Sequence, residues 1–329
     1  MIALLRRVVL VSLLGLTTFA IAADAQQAKI QRVGILNEDS EGPPGHRDTF
    51  RDMMRELGYI YGQNLIVDER WSDGRNERFP SLAAELVALK PDVIVAESAP
   101  AVIAAMRATA TIPIVMVNVA DPVGSGLVAS LARPGGNVTG AATFGIETAE
   151  KSVDLMHVLV PKATRIAILM TDDNPDIFFR LKAIEDAAKT IGLTILPTMF
   201  RSEEDFEKAI ASMAKKDAQA LIFLAGGVAN TDRNQDKLIE LAARTKLPTM
   251  HMGRSAVEAG GLLTYSQNRL ERIGYAATYV DKVLKGAKPA DLPIAQPTIF
   301  DFFINLKTAK ALGLTIPPSL LLRATEVIQ

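Results

Sequence analysis

Two spacings of apolar residues alternate along this chain. Short runs rich in Val and Ile, such as VIVA at 93–96 and IVMV at 114–117, are bounded by turn signals and read as strands buried on both faces. Between them lie longer stretches with apolar positions three and four apart, which read as amphipathic helices. The pattern predicts strands over 29–37, 65–69, 92–96, 113–119 and 137–144, with a helix after each of the first four, at 46–57 and 75–89 for the first two. From 147 the alternation resumes, with helices at 147–160, 175–191, 203–214 and one ending near 244. Strands fall at 165–170, 193–197, 218–224 and 247–250. A strand at 261–266, a helix at 270–284, a Pro-rich connector at 286–297, a strand at 298–304 and a short helix at 307–312 complete the chain before a Pro317-Pro318 tail. Repeated strand–helix units of this kind make α/β doubly wound parallel sheets, and here the unit occurs in two similar halves.

That architecture says where chemistry belongs, because ligands of open α/β sheets sit outside the carboxyl ends of the strands. The strand ends on the first half are Asn37, Glu97-Ser98 and Asn118 to Asp121; on the second they are Asp172-Asp173, Gly226 and Arg254. Ser98 followed by Pro100 has the form of a helix N-terminus with free N–H groups, and Asn118 and Asp121 could converge on the same crevice. An acid and an arginine in one wall would suit an ammonium and a carboxylate. Caps and turns would equally explain Ser98, Asp121 and Asp172, and a solvated surface would explain Arg254. Thr143 and Tyr265 lie where the chain would pass between halves. Trp71, the single tryptophan, stands as either a stacking or a packing residue. The RPGG at 133–136 lacks phosphate-loop spacing and precedes a strand, so it is not a nucleotide site.

Composition narrows the class. Residues 1–25 combine a basic start, an apolar stretch too short to span a bilayer and the Ala23-Asp24-Ala25 cleavage pattern, so export through a signal peptide cut after Ala25 is expected. Removing it takes two arginines and one aspartate from 36 basic and 37 acidic residues, and the balance stays near neutral without a basic stripe, against a nucleic-acid partner. Cysteine is absent, which excludes disulfides, thiolate chemistry and a lipoprotein anchor. Three widely separated histidines argue against a histidine-rich metal site, and no cofactor motif is present. A disulfide-free exported chain of about 300 residues fits two α/β domains in the periplasm.

Several words of the sequence carry a resemblance: RELGYIYGQNLIVDERWSDGR (55–75), LAAELVALKPDVIVA (82–96), ATATIPIVMV (108–117), DPVGSGLVASLARPGGNVTG (121–140), VEAGGLLTY (257–265), YVDKVLKGAKPADLPIAQPT (279–298) and INLKTAKALGLTIPPSLLLRATEVI (304–328). With these the chain resembles the periplasmic solute-binding proteins of ABC transporters, in the tryptophan/tyrosine-type subgroup. The resemblance implies a type I periplasmic-binding fold with two lobes joined by three crossovers near 144, 265 and 298. Lobe 1 is expected over 26–144 with about 266–297, and lobe 2 over 145–265 with about 298–329. It implies a monomeric receptor, not an enzyme, that closes on a small polar ligand, an amino acid or a related compound, and is recognised by a membrane permease. The expected ligand-binding residues are Asn37, Glu97, Ser98, Asn118, Asp121, Thr143, Asp172, Gly226, Arg254 and Tyr265. Glu97-Ser98 departs from the Gly-Thr or Gly-Ser of many relatives, and an acid there favours a cationic or amine-bearing ligand. Two other readings use the same architecture: an exported enzyme working through Glu97 with Asp121 or Asp172, and a ligand sensor that presents its closed form to a signalling receptor.

Overall fold

The computed structural model describes residues 29–40, 45–224, 226, 229 and 232–329. The expected signal peptide and most of the loop at 225–227 lie outside the described residues. The first sheet has five parallel strands in the order β2-β1-β3-β4-β5: β1 Gln31–Asn37, β2 Leu65–Trp71, β3 Val93–Glu97, β4 Ile114–Val119 and β5 Val138–Ala142. Three helices alternate with these strands, α1 Gly45–Glu56, α2 Phe79–Ala88 and α3 Ala99–Ala108.

The helix expected after β4 is not there. Residues 120–137 are turns and bends instead, because Asp121-Pro122 with Gly124 and Gly126, then Pro134-Gly135-Gly136, supply turn formers where a helix needs continuous propensity. Leu127 and Val128 of this segment still pack into the core on the α2 and α3 face, against Val102 and Met116. The other face is covered by α1 and by a helix that arrives much later in the chain, α9 at Arg269–Leu284. Its Ala276, Ala277, Val280 and Val283 bury against Val33, Val95 and Val117. A parallel sheet is stable only with both faces covered, so the second connection between lobes completes the first core.

The second sheet runs β12-β11-β10-β9-β8-β6-β7. Its strands are β6 Arg165–Met170, β7 Thr194–Met199, β8 Ala220–Phe223, β9 Thr249–His251, β10 Leu263–Gln267, β11 Phe300–Asn305 and β12 Glu326–Ile328. All neighbours are parallel except β10 and β11, since β11 enters from the other lobe and runs back along β10. Pro197 is tolerated in β7 because that strand is an edge. Helices α4 Gly145–Leu159, α5 Pro175–Thr190, α6 Phe206–Lys215, α7 Asp232–Thr245, α8 Arg254–Glu258, α10 Leu306–Ala311 and α11 Pro318–Leu321 cover this sheet. One core gathers Val153, Met156 and Ile184 with Ala309 and Leu320; the other gathers Phe206, Ile210, Leu238 and Leu241. The short helix α8 and the strand β12 stand where the sequence pattern shows only a loop and a Pro-rich tail.

The chain passes between the sheets three times: from β5 into α4, from β10 into α9, and from the 294–295 stretch into β11. At the last of these, Ala295 still pairs with β5, its N–H donating to the Gly140 carbonyl at 2.9 Å. Among the described residues no helix is long and apolar enough to cross a membrane.

Candidate functional site

The carboxyl ends of the two sheets face each other across a cavity of about 1480 Å³. This exceeds the few hundred to a thousand Å³ usual for a small-molecule pocket, as expected of a cleft between lobes. Of the residues expected from sequence, Asn37, Glu97, Asn118, Thr143, Arg254 and Tyr265 line it, and so does Trp71 at the end of β2. Among the described residues, twelve carboxylate residues and six arginines line the cavity, and no lysine does. Any net field there is negative.

The first wall is shaped by a bulge. The pairing of β4 with β5 shifts between Met116 and Val119, and Gly140 opposite Met116 has φ 125°; a Cβ there would overlap the Met116 carbonyl oxygen. The extra residue turns Asn118 into the left-handed region, φ 60°, and leaves its side chain exposed in the cleft. There Asn118 Oδ1 accepts from Arg272 Nη1 of α9 at 3.0 Å. Glu97 ends β3 beside them. Burial pushes its carboxyl pKa up, while the guanidiniums of Arg272 and Arg269 pull it back. The same burial lowers Arg272, which Glu97 partly offsets, and its Nε has no acceptor. Glu97 and Arg272, both partly buried, thus attract each other as opposite charges, and Asn118 accepts from the guanidinium at the cleft.

Ser98 and Asp121 are not among the residues that line the cavity. Ser98 is buried at the start of α3 with φ 109° and ψ 156°, and its Oγ neither caps the helix nor meets any partner. Asp121 shapes the turn after β4, its Oδ1 accepting from Gly124 N at 2.8 Å.

On the second wall Arg254 is half exposed and ion-paired with Glu258 at 2.6 Å and Glu326 at 2.8 Å, with its guanidinium over the Phe303 ring. Asp172 faces solvent in a fork with Arg201, whose Nε reaches Oδ2 at 3.0 Å; that hydrogen bond holds the carboxyl below its usual range. Gly226 lies against the first lobe, where an added Cβ would come 3.5 Å from Glu38 Oε1. Tyr265 stacks on Phe300 at 5.5 Å, and Phe300 touches Phe144 at 5.8 Å, so an aromatic cluster forms one side of the crossover region. His251 is packed, not poised: it stacks on Phe223, its Nε2 pairs with Thr249 Oγ1 at 2.8 Å, and burial holds its pKa at about 3.

The sequence pattern does not single out Arg272, nor three further residues, of which two line the cavity and one ties the lobes. Arg180 of α5 lines the cavity, and burial lowers its pKa to about 10. Gln267, buried at the end of β10, has an Nε2 without partner. Asp176, in the first turn of α5, crosses between lobes: its Oδ2 accepts from Ala120 N at 2.7 Å and its Oδ1 from Ser125 Oγ at 3.4 Å. Burial raises the Asp176 carboxyl, and these hydrogen bonds lower it in part. A second bridge joins Asn76 Nδ2 to Asp173 Oδ2 at 2.8 Å. Asp176 and Arg180 are one helical turn apart and share a face, the one signal for them in the sequence. Among the described residues no group of three metal-ligating side chains converges.

Comparison with known proteins places this geometry among relatives. The family described as ABC transporter substrate binding protein matches residues 38–328. A tyrosine-binding protein of Clostridioides difficile (strain R20291) is 27% identical over 266 residues, 80% of this chain and 75% of that protein. Among solved structures, a conserved domain protein from Vibrio cholerae superposes with a TM-score of 0.84 at 27% identity, over 91% of this chain and 100% of that one. An ABC domain from Streptococcus pneumonia in complex with L-Trp gives 0.82 at 27% identity, over 91% and 99%.

Proposed function

The chain belongs to the ABC transporter substrate-binding proteins, and from that premise we propose that it is the extracytoplasmic receptor of an importer, closing its two lobes around a single α-amino acid. The observation that carries this reading is the juxtaposition of Glu97, Asn118 and Arg272 in one interlobe cavity. An acid and guanidiniums facing one cleft are complementary to the ammonium and the carboxylate of a single zwitterion. The Tyr265–Phe300 stack offers an apolar surface for a side chain. An aromatic amino acid is therefore the first candidate, in keeping with the L-Trp complex and the tyrosine-binding relative.

Closure is supported by the interlobe hydrogen bonds of Asp176 and Asn76, which exist only while the lobes touch. Export to the periplasm is supported by the leader-like pattern of residues 1–25 and by the family, and a permease is the partner such a receptor serves. The catalytic alternative loses support from geometry: Asp121 and Asp172 are engaged in a turn and a surface ion pair, so neither joins Glu97 in an acid–base couple.

Thermal unfolding of the purified protein with a panel of amino acids, amines and carboxylates tests the reading. A ligand at about 100 times its Kd adds roughly 2.7 kcal/mol, several degrees at roughly 2 to 4 °C per kcal/mol. L-tyrosine or L-tryptophan is expected to give such a shift and to be recovered unchanged. No shift with any amino acid would reject the receptor reading, and a ligand recovered as product would favour an enzyme.

A further inference from the structure

Each arginine that the second lobe presents to the cavity has a definable electrostatic state. Arg201 is forked to Asp172, and Arg254 is shared between Glu258 and Glu326; both pairs stand at the exposed rim. Arg180 differs. Among the described residues it joins no ion pair, its Nε is buried without an acceptor, and its Nη2 meets only the Met252 sulfur at 3.5 Å, a poor acceptor. Asp176, one turn earlier on α5, attracts it, but that carboxylate's oxygens accept from Ala120 and Ser125 of the first lobe. A guanidinium whose Nε is closed off from water without an acceptor is better satisfied when an anion meets it. On the first lobe, by contrast, Glu97 and Arg272 offset each other's burial in part.

Resting on the reading of the cleft as an amino-acid site, we propose that Arg180 is the residue of the second lobe that reads the ligand's carboxylate. One zwitterion then spans the cleft, its ammonium at Glu97 on the first lobe and its carboxylate at Arg180 on the second. The ligand class is set by this span: a primary amine with a carboxylate within reach of the opposite wall. An amine without a carboxylate engages the first lobe alone and leaves Arg180 with only the attraction of Asp176.

Titration calorimetry of the purified protein with L-tyrosine, L-tryptophan and their decarboxylated amines, tyramine and tryptamine, decides the matter. In the unmodified protein the amines are expected to bind at least about tenfold more weakly than the parent amino acids. Arg180→Gln is expected to weaken amino-acid binding by a similar factor and not to weaken amine binding. Arg180→Lys, which keeps the charge but not the fork, should lose less. Amines binding as tightly as the amino acids, or unchanged amino-acid affinity in Arg180→Gln, would overturn the assignment while leaving the amino-acid site standing. If no amino acid binds the unmodified protein, the assignment and the reading beneath it fall together. Should Arg180→Gln not fold, the comparison of amino acids with amines in the unmodified protein carries the decision.

Discussion

Ser98 joins β3 to α3 with φ 109° and ψ 156°, a conformation that essentially only glycine occupies without strain. Nothing repays this locally, since its Oγ is buried with no partner. Ser98→Gly removes both penalties, and against the entropy glycine gains in the unfolded chain a net gain of about 1 kcal/mol is expected. Chemical denaturation measures it; Ser98→Ala, which keeps the forbidden φ, is expected to show no such gain. A destabilised glycine variant would mean that the hydroxyl has a partner worth more than the strain. At this scale residue type was a fair guide and residue state was not. Glu97 and Arg254 are both ionisable residues at strand ends in the sequence. Burial separates the one, partly buried and attracted by Arg272, from the other, half exposed and paired twice at the rim.

The bulge between β4 and β5 is the element on which the first wall depends. It turns Asn118 into the cleft toward Arg272, and Gly140 makes room for it by having no side chain against the Met116 backbone. Gly140→Ala is expected to cost about 3 kcal/mol or more, because both the positive φ and the backbone overlap oppose a Cβ. Urea unfolding would show a lower midpoint at unchanged slope; a loss below about 1 kcal/mol would mean that the strands move apart easily and that the bulge is not held by this glycine. Periodicity in the sequence located most strands and helices to within a few residues, since buried parallel strands and amphipathic helices leave different spacings. It misplaced a helix after β4, where turn-forming residues prevail. It also missed β12 and α8, elements of three and five residues, too short to carry a period.

For the whole molecule the central question is what holds the two lobes together before a ligand arrives. Asp176 reaches from α5 to the backbone of residue 120 and the Ser125 hydroxyl, joining lobes by a buried carboxylate. Removing it as Asp176→Ala leaves the Ala120 N–H unpaired in the closed form but hydrated in the open one, and so shifts the population toward open. Small-angle scattering of the ligand-free protein should show a larger radius of gyration in the variant, and saturating amino acid should restore the smaller one. Equal radii without ligand would reject the latch. What the sequence determined by itself is the α/β class, the doubled architecture and the rule that sites lie at strand ends, because these follow from local spacing and from motifs spread along the chain. Only the tertiary structure decided which strand-end residues meet: Asp121 and Asp172 turn to other partners, while Arg180 and Arg272 arrive in the cleft from the first two turns of helices. The physical reason is that a charge's role depends on what surrounds it. Those surroundings are assembled here by three crossings of the chain between two sheets, over separations in sequence such as the 154 residues between Asn118 and Arg272.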